Sequence, residues 1–329
     1  MSPKKKSLSA SIFLLILVFV FFFEGSVAAQ SKQVRLSIAS GPVGSGYYAF
    51  AATLSRIISK YIPNTDVTVE ATTASLDNCK LVHTGKADLG LTIVDTAYEA
   101  VKGTEKFKAF GPMPIKAVVF HNPYYMYFVT TQGSGINSVS DLRGRRVATG
   151  GPGSGTDITT RRVLEGYGID MEKDLKRERL QGPHAIEALK DRKVDAFTWV
   201  NPLPTWAILD LAVTPGIKIK FLNNSDHQDK LRQKYGPIYS KGIISKTAYP
   251  NLDFEAQAIT IFGLLICNEK MDAGLVFNIL KILLDHQAEI AEFHKDSSYL
   301  VLPNAIVGSP VPFHSGAIKY YQEKGIKVE

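Results

Sequence analysis

From residue 34 onward, short runs rich in β-branched and aromatic residues alternate with segments whose apolar residues recur at helical spacing. That alternation points to an α/β fold with mostly parallel sheets. Residues 34–39, 67–71, 88–94 and 117–121 read as a first set of strands, with helices expected at 49–61 and 76–84. A second set follows at 125–131, 146–149, 194–200 and 217–222, with helices at 157–166 and 185–190. A polar, loop-like stretch covers 223–251, and a strand at 258–267 and a long helix at 273–293 complete the pattern.

One βα series ends and another begins around His121 to Tyr127, so residues 117–131 read as a first crossing between two lobes and 223–251 as the return. The first lobe is then discontinuous, built from 30–122 and 246–329, and the second spans 123–245. Two crossings make a two-segment hinge with a cleft between the lobes, and such hinges close around ligands. The length of 329 residues suits two lobes at roughly 150 residues each.

The N-terminus has a different grammar. Lys4, Lys5 and Lys6 precede an apolar run, 12–23, which is followed by the small-residue stretch Ser26-Val27-Ala28-Ala29. This is the form of a secretory signal peptide over residues 1–29, cut after Ala29. The apolar run is short for a membrane span, which needs about 20 residues; an uncleaved anchor is the alternative. No later stretch is long enough to span, so the processed chain is expected to be soluble and periplasmic. The net charge of +7 would suggest nucleic acid, but removal of the export segment leaves 35 basic and 30 acidic side chains. The basic pairs Arg145-Arg146 and Arg161-Arg162 are not interleaved with aromatics and read as solvated faces, so no nucleic-acid partner is expected.

Two segments concentrate the chemistry. Ser40-Gly41-Pro42-Val43-Gly44-Ser45-Gly46-Tyr47-Tyr48 and Gly150-Gly151-Pro152-Gly153-Ser154-Gly155-Thr156-Asp157 each follow a strand and open a helix. A glycine-rich turn there leaves backbone N–H groups exposed at the positive end of the helix dipole, worth about 0.3–1 kcal/mol toward an anion. Glycines at such places also serve simply to turn the chain. Neither segment has G-x-G-x-x-G or a Gly-Lys-Ser/Thr sequel, so nucleotide-binding loops and cofactors are not indicated. Ser45 and Ser154 lie outside G-x-S-x-G, which leaves a secreted serine hydrolase as a weaker alternative. The seven histidines show no metal-ligand spacing, and no metal or cofactor is expected. Cys79 and Cys267 lie inside expected regular elements and read as two buried thiols or one bridge.

These residues resemble a known family. The run Gly41 to Tyr48, then Leu76-Asp77-Asn78, Gly85-Lys86-Ala87-Asp88-Leu89-Gly90 and Asp95-Thr96-Ala97-Tyr98-Glu99-Ala100 are similar to the TAXI family of solute receptors. The likeness continues through Ser138-Val139-Ser140-Asp141-Leu142-Arg143-Gly144, Gly151-Pro152-Gly153-Ser154-Gly155-Thr156, Asp195-Ala196-Phe197 and His314-Ser315-Gly316-Ala317. Ser315, Asn251 and Asn201-Pro202-Leu203-Pro204 depart from the usual pattern. TAXI proteins are the extracytoplasmic receptors of tripartite ATP-independent periplasmic (TRAP) transporters. The resemblance implies a type II periplasmic-binding-protein fold, a glutamate-like organic acid or amino acid as ligand, no enzymatic activity and delivery to TRAP membrane permease subunits driven by an ion gradient. The same fold also serves receptors of ATP-driven importers and sensors.

The expected ligand site draws on both turns: Gly44, Ser45, Gly46, Gly153, Ser154, Gly155 and Thr156 present N–H and hydroxyl groups to a carboxylate. Tyr47 and Tyr48 wall the site or pack the helix. Asn78 carries over from the family motif, with a helix cap as its alternative, and Asp95 would accept a hydrogen bond from a ligand ammonium. Trp199, Asn201 and Pro202 follow a second-lobe strand and face the same cleft.

Overall fold

In the first glycine-rich segment, extended backbone at Ser45 (φ −84°, ψ 159°) gives way to a helix at Gly46, and the Ser45 hydroxyl accepts a hydrogen bond from the N–H of Tyr48. That cap starts α1, Gly46–Tyr61, whose buried Phe50, Leu54, Ile57 and Ile58 fall on one stripe at helical spacing. Full burial of each is worth about 1.5–3 kcal/mol. This local logic, a strand followed by a capped amphipathic helix, recurs along the chain. The protein is described here from a computed structural model that covers residues 33–293, 299–302, 304–306 and 309–328. The export segment expected at 1–29 lies outside the described residues.

The strands are β1 (Val34–Ala39), β2 (Thr65–Glu70), β3 (Leu89–Ile93), β4 (Ile115–Thr131), β5 (Arg146–Ala148), β6 (Lys176–Glu178), β7 (Ala196–Asn201), β8 (Ile219–Phe221), β9 (Ser240–Ile244) and β10 (Ala256–Asn268). After α1 come α2 (Ser75–His83), α3 (Val94–Lys102), α4 (Gly155–Gly166), α5 (Gly182–Lys190), α6 (Trp206–Val213), α7 (Gln228–Tyr235), α8 (Ala273–Asp285), α9 (Gln287–Phe293) and α10 (Ser315–Glu323). The sheet runs β2-β1-β3-β10-β4-β7-β5-β6, with β8 added to β4 and β9 to β10. From Arg35 onward the chain forms one compact unit.

The α/β class expected from the sequence holds, but the sheet is mixed rather than mostly parallel. β1 pairs with β3, and β5 with β6 and β7, in parallel. The long β4 and β10 run antiparallel to each other and to β3, β7, β8 and β9. Residues 117–121 and 125–131, read as two strands, are one strand of 17 residues that passes through Pro123. Pro123 usually marks an end or an edge; here β10 absorbs it with an irregularity between Phe262 and Leu264.

Two further expectations change. The stretch 223–251, read as loop-like, holds α7 and β9. The helix expected over 273–293 breaks at His286 (φ −108°, ψ 24°), whose ring stacks on Tyr61 with centroids 3.6 Å apart. Cys79 and Cys267 are free and buried, and burial pushes each thiol up to about 12. One apolar cluster gathers α1, β3, β10 and α8, and a second gathers Tyr127, Phe197, Trp199, Phe221 and Tyr249 around β7 and β8.

Candidate functional site

Successive βα turns at the carboxyl ends of β1, β2, β5 and β6 lead into α1, α2, α4 and α5 and converge on one cavity of about 60 Å3. The crevice outside the carboxyl ends of strands is where open α/β sheets take their ligands. From the first turn come Pro42, Ser45 and Tyr47; from the turn after β2, Thr73, Ala74 and Ser75; from the β5 turn, Gly150, Gly151, Ser154, Gly155 and Thr156; from the β6 turn, Gln181, Gly182 and Pro183. Ile93, Tyr124, Trp199, Val200 and Asn201 complete the wall.

Each helix start has a local cause. Ser154 caps α4 as Ser45 caps α1, accepting from the N–H of Asp157 at 3.1 Å. Thr156 accepts from the Val200 N–H at 3.1 Å, which ties α4 to the end of β7. α5 opens with Pro183 in its first turn, the position where a missing N–H costs least. α2 begins differently: Ala74 lies at φ 85°, ψ −145°, and its side chain caps nothing. A non-glycine residue in that region carries about 1–3 kcal/mol of strain.

The turns pack closely. A Cβ on Gly155 would lie 2.5 Å from Ile93 Cδ1 and 2.9 Å from Ser75 Oγ, and one on Gly182 would lie 2.1 Å from the Trp199 indole. Only glycine lets these backbones reach the wall.

The expected site residues divide into two groups. Ser45, Tyr47, Ser154, Gly155, Thr156, Trp199 and Asn201 are brought together on the cavity. Gly46 stands just behind it, where a Cβ would lie 3.1 Å from Asn201 Oδ1. Gly44 and Gly153 make the positive-φ bends of their turns (84° and 75°), and Gly44 opens onto a surface groove beside Val43 and Trp206. Tyr48 is half-buried outside the lining. Pro202 points its carbonyl to Tyr127 Oη (2.9 Å) and the Thr205 hydroxyl (2.7 Å).

Asn78 and Asp95 are not at the cavity. Asn78 is fully buried; its amide donates to the carbonyls of Ser40 and Leu91 and accepts from the Thr72 hydroxyl. It holds the β1 and β2 turns in place. Asp95, also fully buried, lies 3.3 Å from Arg162 Nη1 and accepts from Tyr239 (2.8 Å) and Thr159 (3.2 Å). Arg162 also pairs with Glu99. The carboxylate meant for a ligand ammonium is therefore committed to a buried arginine.

Sequence reasoning missed the turn after β2, the Gln181-Gly182-Pro183 turn and Tyr124. A Gly-Pro pair before a helical run was a readable signal for the second; the others carried none. Among the described residues, no Asp, Glu, Lys, Arg or His lines the cavity, and no cluster of His, Cys, Asp or Glu could hold a metal. Burial and the Asp95 charge hold the Tyr47 phenol far above its usual value, so it is a donor at any working pH.

This arrangement, with helix ends gathered around a small cavity beside the strand ends of a mixed sheet, is the fold of the periplasmic binding proteins. Among solved structures, the chain is similar to XAC2383 from Xanthomonas citri bound to ATP (10% identity, 80% of this chain and 89% of that one, TM-score 0.53). It is also similar to PhnD1 from Prochlorococcus marinus in complex with methylphosphonate (11%, 80% and 90%, 0.52), and to Tv2483 bound to L-arginine (13%, 81% and 91%, 0.50). At these identities the likeness is one of fold. The sequence profile of the NMT1-like family matches residues 38–325, and the chain belongs to that family.

Proposed function

We propose that the protein is an extracytoplasmic solute receptor that captures a small organic acid or amino acid in this cavity and delivers it to a membrane permease. The observation that carries the reading is the convergence of four helix N-termini, those of α1, α2, α4 and α5, on one small cavity. Each end carries about half a positive charge and unpaired N–H groups. Methylphosphonate and L-arginine, bound in two of the similar structures, are small charged molecules of a kind with this use. Among the described residues, neither Ser45 nor Ser154 has a histidine beside it in the lining, which makes the receptor the better-supported reading over a serine hydrolase.

In this reading, residues 1–29 direct export and are removed after Ala29, and the mature chain works in the periplasm. The lobes are 30–122 with 246–329, and 123–245, and they close about β4 and β10. The TAXI-like motifs favour a TRAP permease driven by an ion gradient. The fold serves receptors of ATP-driven importers equally well, which keeps that partner as the second reading. Uptake of labelled ligand into cells carrying the permease genes separates the two: collapse of the ion gradient stops the first, ATP depletion alone the second.

Ser154→Trp tests the site. The indole fills the cavity, and calorimetry on the purified variant should show ligand binding lost while the thermal transition persists. Unchanged affinity would sink this placement.

A further inference from the structure

The buried cluster around Arg162 takes no part in the cavity wall, yet it joins the two lobes of the proposed receptor. Asp95 and Glu99 lie on α3, within 30–122, whereas Thr159 and Arg162 on α4 and Tyr239 just before β9 lie within 123–245. Arg162 Nη1 stands 3.3 Å from Asp95 Oδ2, and its other terminal nitrogen pairs with Glu99. The Tyr239 hydroxyl accepts from Arg162 (2.6 Å) and donates to Asp95 (2.8 Å), and Thr159 donates to the same carboxylate (3.2 Å). The guanidinium also lies 4.2 Å from the centre of the Tyr235 ring. The Asp95, Glu99 and Arg162 side chains are 0%, 5% and 4% exposed, so two carboxylates of one lobe depend on one guanidinium of the other, away from water. The cluster adjoins the cavity. Thr156, which lines the cavity, Thr159 and Arg162 follow one another at three-residue spacing along α4. On α3, Asp95 and Glu99 come two and six residues after Ile93, itself part of the cavity wall.

We infer that Arg162 is a positioning residue for ligand capture: its pairing with Asp95 and Glu99 is a latch that holds the two lobes closed around the cavity, without touching the ligand. The inference rests on the two-lobe receptor reading and extends it. A buried ion pair adds little to stability beside apolar packing, but it tolerates poorly the loss of one partner. Parting the lobes returns these ions to water, so the contact specifies one closed arrangement and can still release it. With the guanidinium removed, Asp95 and Glu99 would be buried without a cation in the closed arrangement and hydrated in the open one. Loss of Arg162 therefore opens the cleft, an effect that a purely structural ion pair would not have.

The test is pulsed dipolar electron paramagnetic resonance on the mature protein, stripped of retained ligand, with spin labels on Val43→Cys and Val213→Cys. Val43 and Val213 are 70% and 57% exposed, one on each lobe, and the native thiols are buried. With Arg162 in place, one short distance is expected to dominate. Arg162→Met should make a longer distance the major population while a cooperative thermal transition persists. Tyr239→Phe removes the donor to Asp95 and keeps the ring; it should shift a smaller fraction the same way, and it decides the matter if Arg162→Met does not fold. Gly155→Phe is a wedge, because its side chain would meet Ile93 and Ser75 of the first lobe, and it should lengthen the distance whether or not the latch exists. Lengthening in the wedge alone would overturn the latch and leave the two-lobe reading standing. Lengthening in none of the variants would overturn both. A short distance kept in folded Arg162→Met, with only the melting temperature lowered, would reduce the cluster to fold stability, and a long distance already dominant with Arg162 in place would equally overturn the latch.

Discussion

The two glycine-rich turns are nearly the same piece of backbone used in different settings. In each, a serine N–H returns to a carbonyl three residues back, Ser45 to Pro42 at 3.0 Å and Ser154 to Gly151 at 3.1 Å. In each, a positive-φ glycine precedes the serine, and the serine caps a helix whose second residue, Tyr47 or Thr156, lines the cavity. The difference lies at the third helical residue. In the second turn this is Asp157, which accepts from the Gly153 N–H (3.2 Å) and pairs with Arg177, itself bonded to Thr149 at 2.7 Å. In the first it is Tyr48, and the turn's tip, Val43, is 70% exposed. One turn is riveted by a buried ion pair, whereas the other is held by its cap, its helix and neutral hydrogen bonds from Asn78 and Thr72. The shared backbone geometry thus forms with or without the charged anchor.

The largest expected effect breaks the rivet. Asp157→Ala leaves the Arg177 guanidinium buried with the Thr149 hydroxyl and the exposed Glu172 as partners, and denaturant titration should show a loss of about 3 kcal/mol. Tyr48→Ala at the matching position should cost about 1 kcal/mol or less; an equal loss would erase the contrast. Next come the caps, where the turns should behave alike. Ser45→Ala and Ser154→Ala should each cost about 1 kcal/mol, and a marked inequality would show that the anchor, not the cap, starts α4.

A smaller effect of opposite sign is expected at the turn after β2. Ala74→Gly relieves the positive φ and should raise stability by about 1 kcal/mol. The smallest lies beneath the second turn, where Asp195 accepts from the Arg146 N–H and pairs with its guanidinium. That partner holds the Asp195 carboxyl below the usual carboxylate range. Its stabilisation is therefore present above the ordinary carboxylate value and is lost as pH falls through the lowered one. In Asp195→Asn the pH dependence of melting should flatten in that acid window and stay unchanged near neutrality.

The sequence disclosed the turns because their cause is local: glycines for the bends, a serine for the cap, then apolar residues at helical spacing. It did not disclose what Asp95 does, because the answer depends on Arg162 and Tyr239, far along the chain and met only in the fold. A short polar strand such as Lys176–Glu178 has no periodicity to read, so the α5 turn behind it went unseen. β4 looked like two strands because Pro123 is a local break signal that a long antiparallel partner overrides.

A crystal structure of the protein with its retained ligand tests the central claim most directly. An anionic group is predicted between the Ser45 and Ser154 turns, within hydrogen-bond distance of backbone N–H groups. A ligand seated outside this cavity, for instance in the Val43–Trp206 groove, would contradict the account.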